Sequence, residues 1–341
     1  MKILNIYKSI GVFALATTLL VSCSELEFDI PVEDVIPLTS GTADFSNYVA
    51  IGASFSAGIS DGSLFIASQN NSFPNSLAGA MANAGGGEFR QPLVSDNVGG
   101  LLLGGVQIAG PRLYFTGSGL GVVSSTPTTE VSNVLAGPFN NMGVPGAKSF
   151  HLLAPGYGNV AGVPTGQANP YFARMASNPN ATVLEDAVSQ NGTFFTVSVM
   201  GGNDVLGYAT SGGSGVDQTG NFDPATYGGN DITDPQVFAG VAGAIVAGLT
   251  ANGAKGVLSN VPYVTDLPYF TTVPYNAVPL DAATAAQLNG AFAQYNGGLL
   301  AAEAGQLITA SERAARTINF AAGQNAVTLV DEDLSNLPAL A

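Results

Sequence analysis

The chain has 341 residues, of which 46% are hydrophobic and only 10% charged, a balance that excludes a disordered chain. Its 44 Gly and 19 Pro demand much loop, which suits an exported protein with long ordered loops better than a helical bundle. The formal net charge of −15 repels phosphate backbones and excludes nucleic acid as a partner.

The first residues are a targeting segment. Lys2 and Lys8 make a basic start, and Ile10 to Val21 is an apolar core that closes on Leu20-Val-Ser-Cys23. Such a segment over residues 1–22 reads as a secretion signal, too short for a comfortable membrane span. The Leu-x-Ser-Cys ending resembles a bacterial lipobox, which implies that Cys23 becomes the acylated first residue of the mature chain. The alternative is an ordinary signal peptide with an incidental cysteine. Acyl chains contribute about 0.8 kcal/mol per buried CH2, so several chains anchor firmly. Removing residues 1–22 takes away two lysines and no acid, leaving 24 acidic against 7 basic residues, a net charge of −17. That sign disfavours docking on anionic lipid, so attachment to the membrane falls to the lipid alone. Ser24-Glu-Leu-Glu27 resembles the surface-export signals of Bacteroidota-type lipoproteins. The expected location is therefore the cell envelope, at the outer membrane, on its periplasmic or surface face.

Cys23 is the only cysteine, so the mature body forms no internal disulfide and no thiolate metal site. One histidine excludes a multi-His zinc site, and no cofactor is expected. Residues 23–46, with Pro31 and Pro37, read as anchor and tether.

The body begins near Asn47. Four apolar, partly β-branched runs read as strands: Tyr48–Gly52, Thr193–Met200, Lys255–Val261 and Ala326–Val330. Helices are expected between them. Pro74 to Asn83 is a short candidate, and Pro235 to Asn252 carries Val237, Val241, Ile245 and Leu249 in steps of four. Asp281 to Thr317 is Ala-rich, starts at a plausible Asp cap and is expected to break at Gly297-Gly298. Strands alternating with helices predict an α/β fold with a mainly parallel sheet. Residues 85–143 fit this pattern poorly and are expected to be an insertion of loops or a small hairpin. A second polar, Gly-rich excursion covers 207–233.

Three segments can carry chemistry. The run Tyr48–Gly52 ends in Ala53-Ser54-Phe55, a small turn that can hold a serine hydroxyl at the carboxyl end of a sheet, where open α/β sheets bind ligands. Gly201-Gly-Asn203-Asp204 directly follows the second strand-like run, so the Asn203 amide is placed to donate to a developing oxyanion. In Asn141-Met-Gly-Val-Pro-Gly146, Gly146 sits between Pro145 and a helix start expected at Ala147, where it can bring a backbone N–H close to a ligand oxygen; a plain Pro-Gly turn is the other reading. An echo, Gly228-Gly-Asn-Asp231, has no strand before it and reads as a turn. Asp217, Asp223, Asp231 and Asp234 read as solvated loop acids, with calcium ligation the less favoured alternative.

In this order, the three segments resemble the blocks of the SGNH, or GDSL, hydrolase family: Gly52-Ala-Ser54-Phe, then Asn141 with Gly146, then Gly201-Gly-Asn-Asp204. Asp61-Gly, Ser72-Phe-Pro-Asn75, Gly85-Gly-Gly87 and Gln91-Pro-Leu93 are similar to a Bacteroidota lipoprotein subgroup of it, so the resemblance spans residues 47–335. It implies a flavodoxin-like three-layer α/β/α sandwich with long Gly-rich insertions. Ser54 would be the nucleophile, and the oxyanion hole would be the Ser54 N–H, the Gly146 N–H and the Asn203 side chain. The implied reaction is hydrolysis of an acyl or acetyl ester through an acyl-enzyme, without metal or cofactor. Ala53 stands where the family usually has Asp.

The base is the departure. The family takes it from an Asp-x-x-His block near the carboxyl end, and this sequence carries none. The expectation is that the reading frame continues past Ala341 into such a block, with the triad Asp and His there. The only histidine, His151, reads as a packed or surface residue, with recruitment as base the less favoured alternative. Without a base, two other functions stay open: an envelope lipoprotein that binds glycan or lipid in the same cleft, and a surface structural or adhesin-like protein.

Overall fold

The computed structural model describes residues 38–198, 200–329 and 334–335. The expected targeting segment, Cys23 and most of the expected tether lie outside them. Among the described residues no helix is long and apolar enough to cross a membrane.

The fold is a three-layer α/β arrangement around a four-stranded parallel sheet. Its strands are β1 (Tyr48–Gly52), β2 (Asn141–Gly143), β3 (Phe194–Ser198) and β4 (Lys255–Leu258), in the spatial order β2-β1-β3-β4. This is the order of the first four strands of a flavodoxin-like sheet. In register, Gly52 lies beside Gly143 on one side and Ser198 on the other, so three chain segments end together at the carboxyl edge.

Alternate residues of β1 serve two layers, as the pleat requires. Val49 and Ile51 point into the larger core, against Met142, Phe195 and Val197 and the helices Val183–Val188 and Pro235–Thr250. Tyr48 and Ala50 point the other way, toward Ala78 of the helix Phe73–Ala82 and toward Phe89. The expected stripe on Pro235–Thr250 is present: Val241, Ile245 and Leu249 are buried and Val237 is half-buried. Asp234 caps this helix by accepting from the N–H groups of Gln236 and Val237.

Four expectations need correction. Ala326–Val330 is not a strand: residues 326–329 are irregular, Val330 lies outside the described residues, and the nearby strand Gly323–Asn325 pairs antiparallel with Val278–Leu280, away from the central sheet. The helical stretch after Asp281 does not break at Gly297-Gly298. It runs as Ala282–Ala291, Ala293–Ala304 and Ala310–Arg316, and the glycines sit inside the middle helix. Glycine costs about 1 kcal/mol in a helix, and burial of Leu299 and Ala302 against Ile308 offsets it. The interval 85–143 does hold two hairpins, Leu101–Leu103 with Val106–Ala109 and Leu113–Phe115 with Leu120–Val122, but its last three residues are β2. Asn141-Met-Gly is too short and too polar to announce itself as a strand. Finally, the helical turn expected at Ala147 begins at Ser149, as the 3-10 helix Ser149–Leu153.

Packing under the Ser54 turn is close. A Cβ on Gly143 would stand 2.4 Å from the Ala57 nitrogen and 2.7 Å from the Ser56 carbonyl carbon. Both neighbours are backbone, so neither can swing away. Gly143→Ala is expected to destabilise the protein by about 2 kcal/mol, read as a lower urea midpoint; an unchanged midpoint would show that the turn is not wedged on β2.

Candidate functional site

Ser54 follows β1 after the single residue Ala53 and opens the one-turn helix Ser54–Ala57. The turn closes with Ala57 N–H on the Ala53 carbonyl and Gly58 N–H on the Ser54 carbonyl, both at 3.0 Å. Its buried underside is a polar lattice. The Ser56 and Ser198 hydroxyls meet at 2.5 Å, and Asn141 Nδ2 donates to the Ser56 carbonyl at 2.9 Å and to Gln91 Oε1 at 3.1 Å. Asn141 thus supports the serine turn from the adjacent strand. That role was not visible in the sequence, where Asn141 served only to locate Gly146.

Gly146 reaches the serine directly, its N–H donating to Ser54 Oγ at 3.3 Å. Its φ is +78°, and a Cβ there would meet nothing within 4 Å, so the need for glycine is conformational, not steric. Asn203 lies in the helix Gly202–Thr210, which follows β3 and is entered through Gly201 at φ +97°. Its Nδ2 donates to the Ala147 carbonyl at 2.8 Å, one residue beyond Gly146, and an amide nitrogen carries two hydrogens. Asp204 grips the same loop, accepting from the Ser149 N–H at 2.9 Å and the Ser149 hydroxyl at 2.7 Å. Asn203 and Asp204 together clamp residues 147–149, which fixes where the Gly146 N–H points.

Lys148 completes the clamp from the other side. It is 5% exposed and donates through Nζ to the carbonyls of Asp231, at 2.6 Å, and Gly228, at 3.3 Å. Burial holds its ammonium below the ordinary lysine range, with Asp204 and Asp231 opposing that shift. The Gly228-Gly-Asn-Asp231 echo is therefore a turn whose carbonyls receive a lysine. The loop acids bind backbone instead of converging: Asp231 accepts from Val216 and Gly228, Asp234 from Gly220, Asp223 from Ala225 and Asp217 from Thr219. No group of three metal-ligating side chains converges among the described residues.

Ser54 and Asn203 face one cavity of about 470 Å3, walled by Phe55, Leu206, Val261, Pro262, Val264 and Leu267. Its walls are almost wholly apolar, and its polar groups gather at the Ser54 end. The structure thus brings Ser54, Gly146 and Asn203 into one neighbourhood.

His151 stands apart from that cavity. Its Nδ1 accepts the Lys148 N–H at 3.0 Å, so the neutral ring carries its proton on Nε2. The imidazole lies flat on Tyr157, with centroids 4.6 Å apart and planes at 6°, and lines a different cleft with Phe150 and Tyr227. With one nitrogen accepting and the other protonated, it has no lone pair to offer Ser54. Serine activation by His151 is set aside on this ground.

No match to the chain was found among family models, curated proteins or solved structures.

Burial, and secondarily the charge of Lys148, pushes the His151 pKa down to about 4, with Asp204 opposing. Between that value and the unfolded pKa of about 6.5 the unfolded chain binds a proton that the native one does not. Stability therefore falls as pH drops through this window, by at most on the order of 3 kcal/mol. Imidazole NMR of the single histidine checks this directly; a midpoint near 6.5 would contradict the burial.

Proposed function

We propose that the chain is a serine ester hydrolase of the SGNH type, lipid-anchored through Cys23 at the outer membrane. The observation that carries this reading is the contact between the Gly146 N–H and Ser54 Oγ at 3.3 Å, beside an apolar cavity that also holds Asn203. Ser54 attacks the ester carbonyl. The developing oxyanion is held by the N–H groups of Ser54 and Gly146 and by the second N–H of the Asn203 amide. An acyl chain lies along Leu206, Val261 and Leu267, where it leaves water, so an aliphatic acyl ester suits the cavity better than an acetyl ester.

The proton from Ser54 must pass to a base that the described residues do not bring to the serine. An Asp-x-x-His block of the kind the resemblance implies would supply it. The same gap favours the second reading, a lipoprotein that binds acyl lipid in this cavity without cleaving it.

Fluorophosphonate labelling and p-nitrophenyl ester hydrolysis decide between the two when run on the given chain and on the chain read through to its stop codon. In a hydrolase, Ser54→Ala abolishes both signals, and Asn203→Ala lowers kcat by roughly 100- to 1000-fold. Lack of both in the extended chain would leave the binding reading. For the anchor, Cys23→Ser is expected to abolish incorporation of an alkyne-tagged palmitate and to release the protein from membranes; a Cys23→Ser protein that still takes up label would refute the assignment.

A further inference from the structure

The loop that presents Gly146 to Ser54 has a second side. Lys148 and His151 face away from the serine into a cleft of about 600 Å3 that shares no lining residue with the Ser54 cavity. Phe150, His151, Tyr157 and Tyr227 are among its lining. His151 lies flat on Tyr157, and the rings of Phe150 and Tyr227 meet edge to face at 89° with centroids 5.5 Å apart. We propose that this cleft is a second ligand site, built to take a neutral pyranose ring of a glycan.

Three observations select that class of ligand. The first is the pairing of flat faces with unused polar groups. The Tyr157 hydroxyl receives Asn169 Nδ2 at 3.1 Å, and the Tyr227 hydroxyl donates to the Asn221 carbonyl. These partners fix the rings; Tyr157 is buried beneath His151, and the half-buried ring of Tyr227 is the aromatic surface left to the cleft. Among the described residues nothing accepts from His151 Nε2, and the Gln167 side-chain amide makes no hydrogen bond. A pyranose meets both demands, because its axial C–H groups lie on the Tyr227 ring while its equatorial hydroxyls reach His151 Nε2–H and the Gln167 amide.

Charge is the second. Lys148 is the only cation lining the cleft, and its ammonium is already held by the carbonyls of Gly228 and Asp231. With the mature chain at −17, from 24 acidic and 7 basic residues, phosphorylated or uronic sugars are disfavoured and a neutral ring is not. The third concerns the ligand's shape. A planar aromatic would cover the rings but leave Nε2–H without an acceptor, a loss that a hydroxyl-bearing ring avoids.

Because the two sites share no residue, this proposal stands apart from the hydrolase reading and fails separately. The test uses the full chain in a zwitterionic, sugar-free detergent with labelled histidine, where the single His151 gives one set of imidazole signals. Methyl β-D-glucopyranoside, methyl β-D-galactopyranoside, methyl α-D-mannopyranoside and N-acetyl-D-glucosamine are titrated in turn, with toluene as the planar control without an acceptor. The expected result is a saturable shift of the His151 signals with at least one pyranoside and none with toluene. Tyr227→Ala should weaken that affinity roughly 10-fold. Gln167→Ala, on an exposed loop where folding is not at stake, should weaken it several-fold. The proposal is overturned by a failure of every pyranoside to saturate, by an equal or larger shift with toluene, or by unchanged affinity in Gln167→Ala.

Discussion

The site rests on how closely three strand ends approach one another. Gly52 sits between Gly143 and Ser198 in register. At both glycines an added Cβ would press within 2.4 Å of an atom of the serine turn or the strand beside it. Only a backbone without side chains lets the turn Ser54–Ala57 settle on the sheet edge. Once it does, the Ser56–Ser198 and Asn141–Ser56 hydrogen bonds lock it there. The reach of the Gly146 N–H to the Ser54 hydroxyl then follows from β2 ending beside β1, two residues before Pro145.

The parts that sequence made legible are those with strong local signals. Tyr48–Gly52, Phe194–Ser198 and the stripe of Val241, Ile245 and Leu249 owe their form to burial, which writes itself into apolar spacing. Ser54, Gly146 and Asn203 were visible because each sits where a strand or turn ends in small residues. β2 was not, since its three residues are held by neighbours on the sheet and carry no pattern of their own. Ala326–Val330 shows the converse: β-branched composition describes what a segment can do, and pairing depends on what lies beside it. Gly297-Gly298 is a similar case, in which a breaker signal loses to tertiary packing.

The one acid of the Gly-Gly-Asn-Asp block gained a role that composition could not assign. Asp204 holds Ser149 through two hydrogen bonds while Asn203 holds Ala147, so one short helix start governs both the position and the stiffness of the adjoining loop. The lone histidine was legible only as an uncertainty. Its environment converts it from a candidate base into a neutral, stacked ring that serves another part of the surface.

Lys148 ties this loop to a turn some 80 residues onward in the chain. Its partners are both main-chain oxygens, so the tie itself uses no side chain of the Gly-rich excursion, whose path is held at this point by the Asp231 carboxylate accepting from Val216 and Gly228. A one-residue deletion in the excursion would pull on the donor nearest the serine. In an enzyme built this way, such a deletion would slow turnover and leave the hold on the apolar part of a substrate intact.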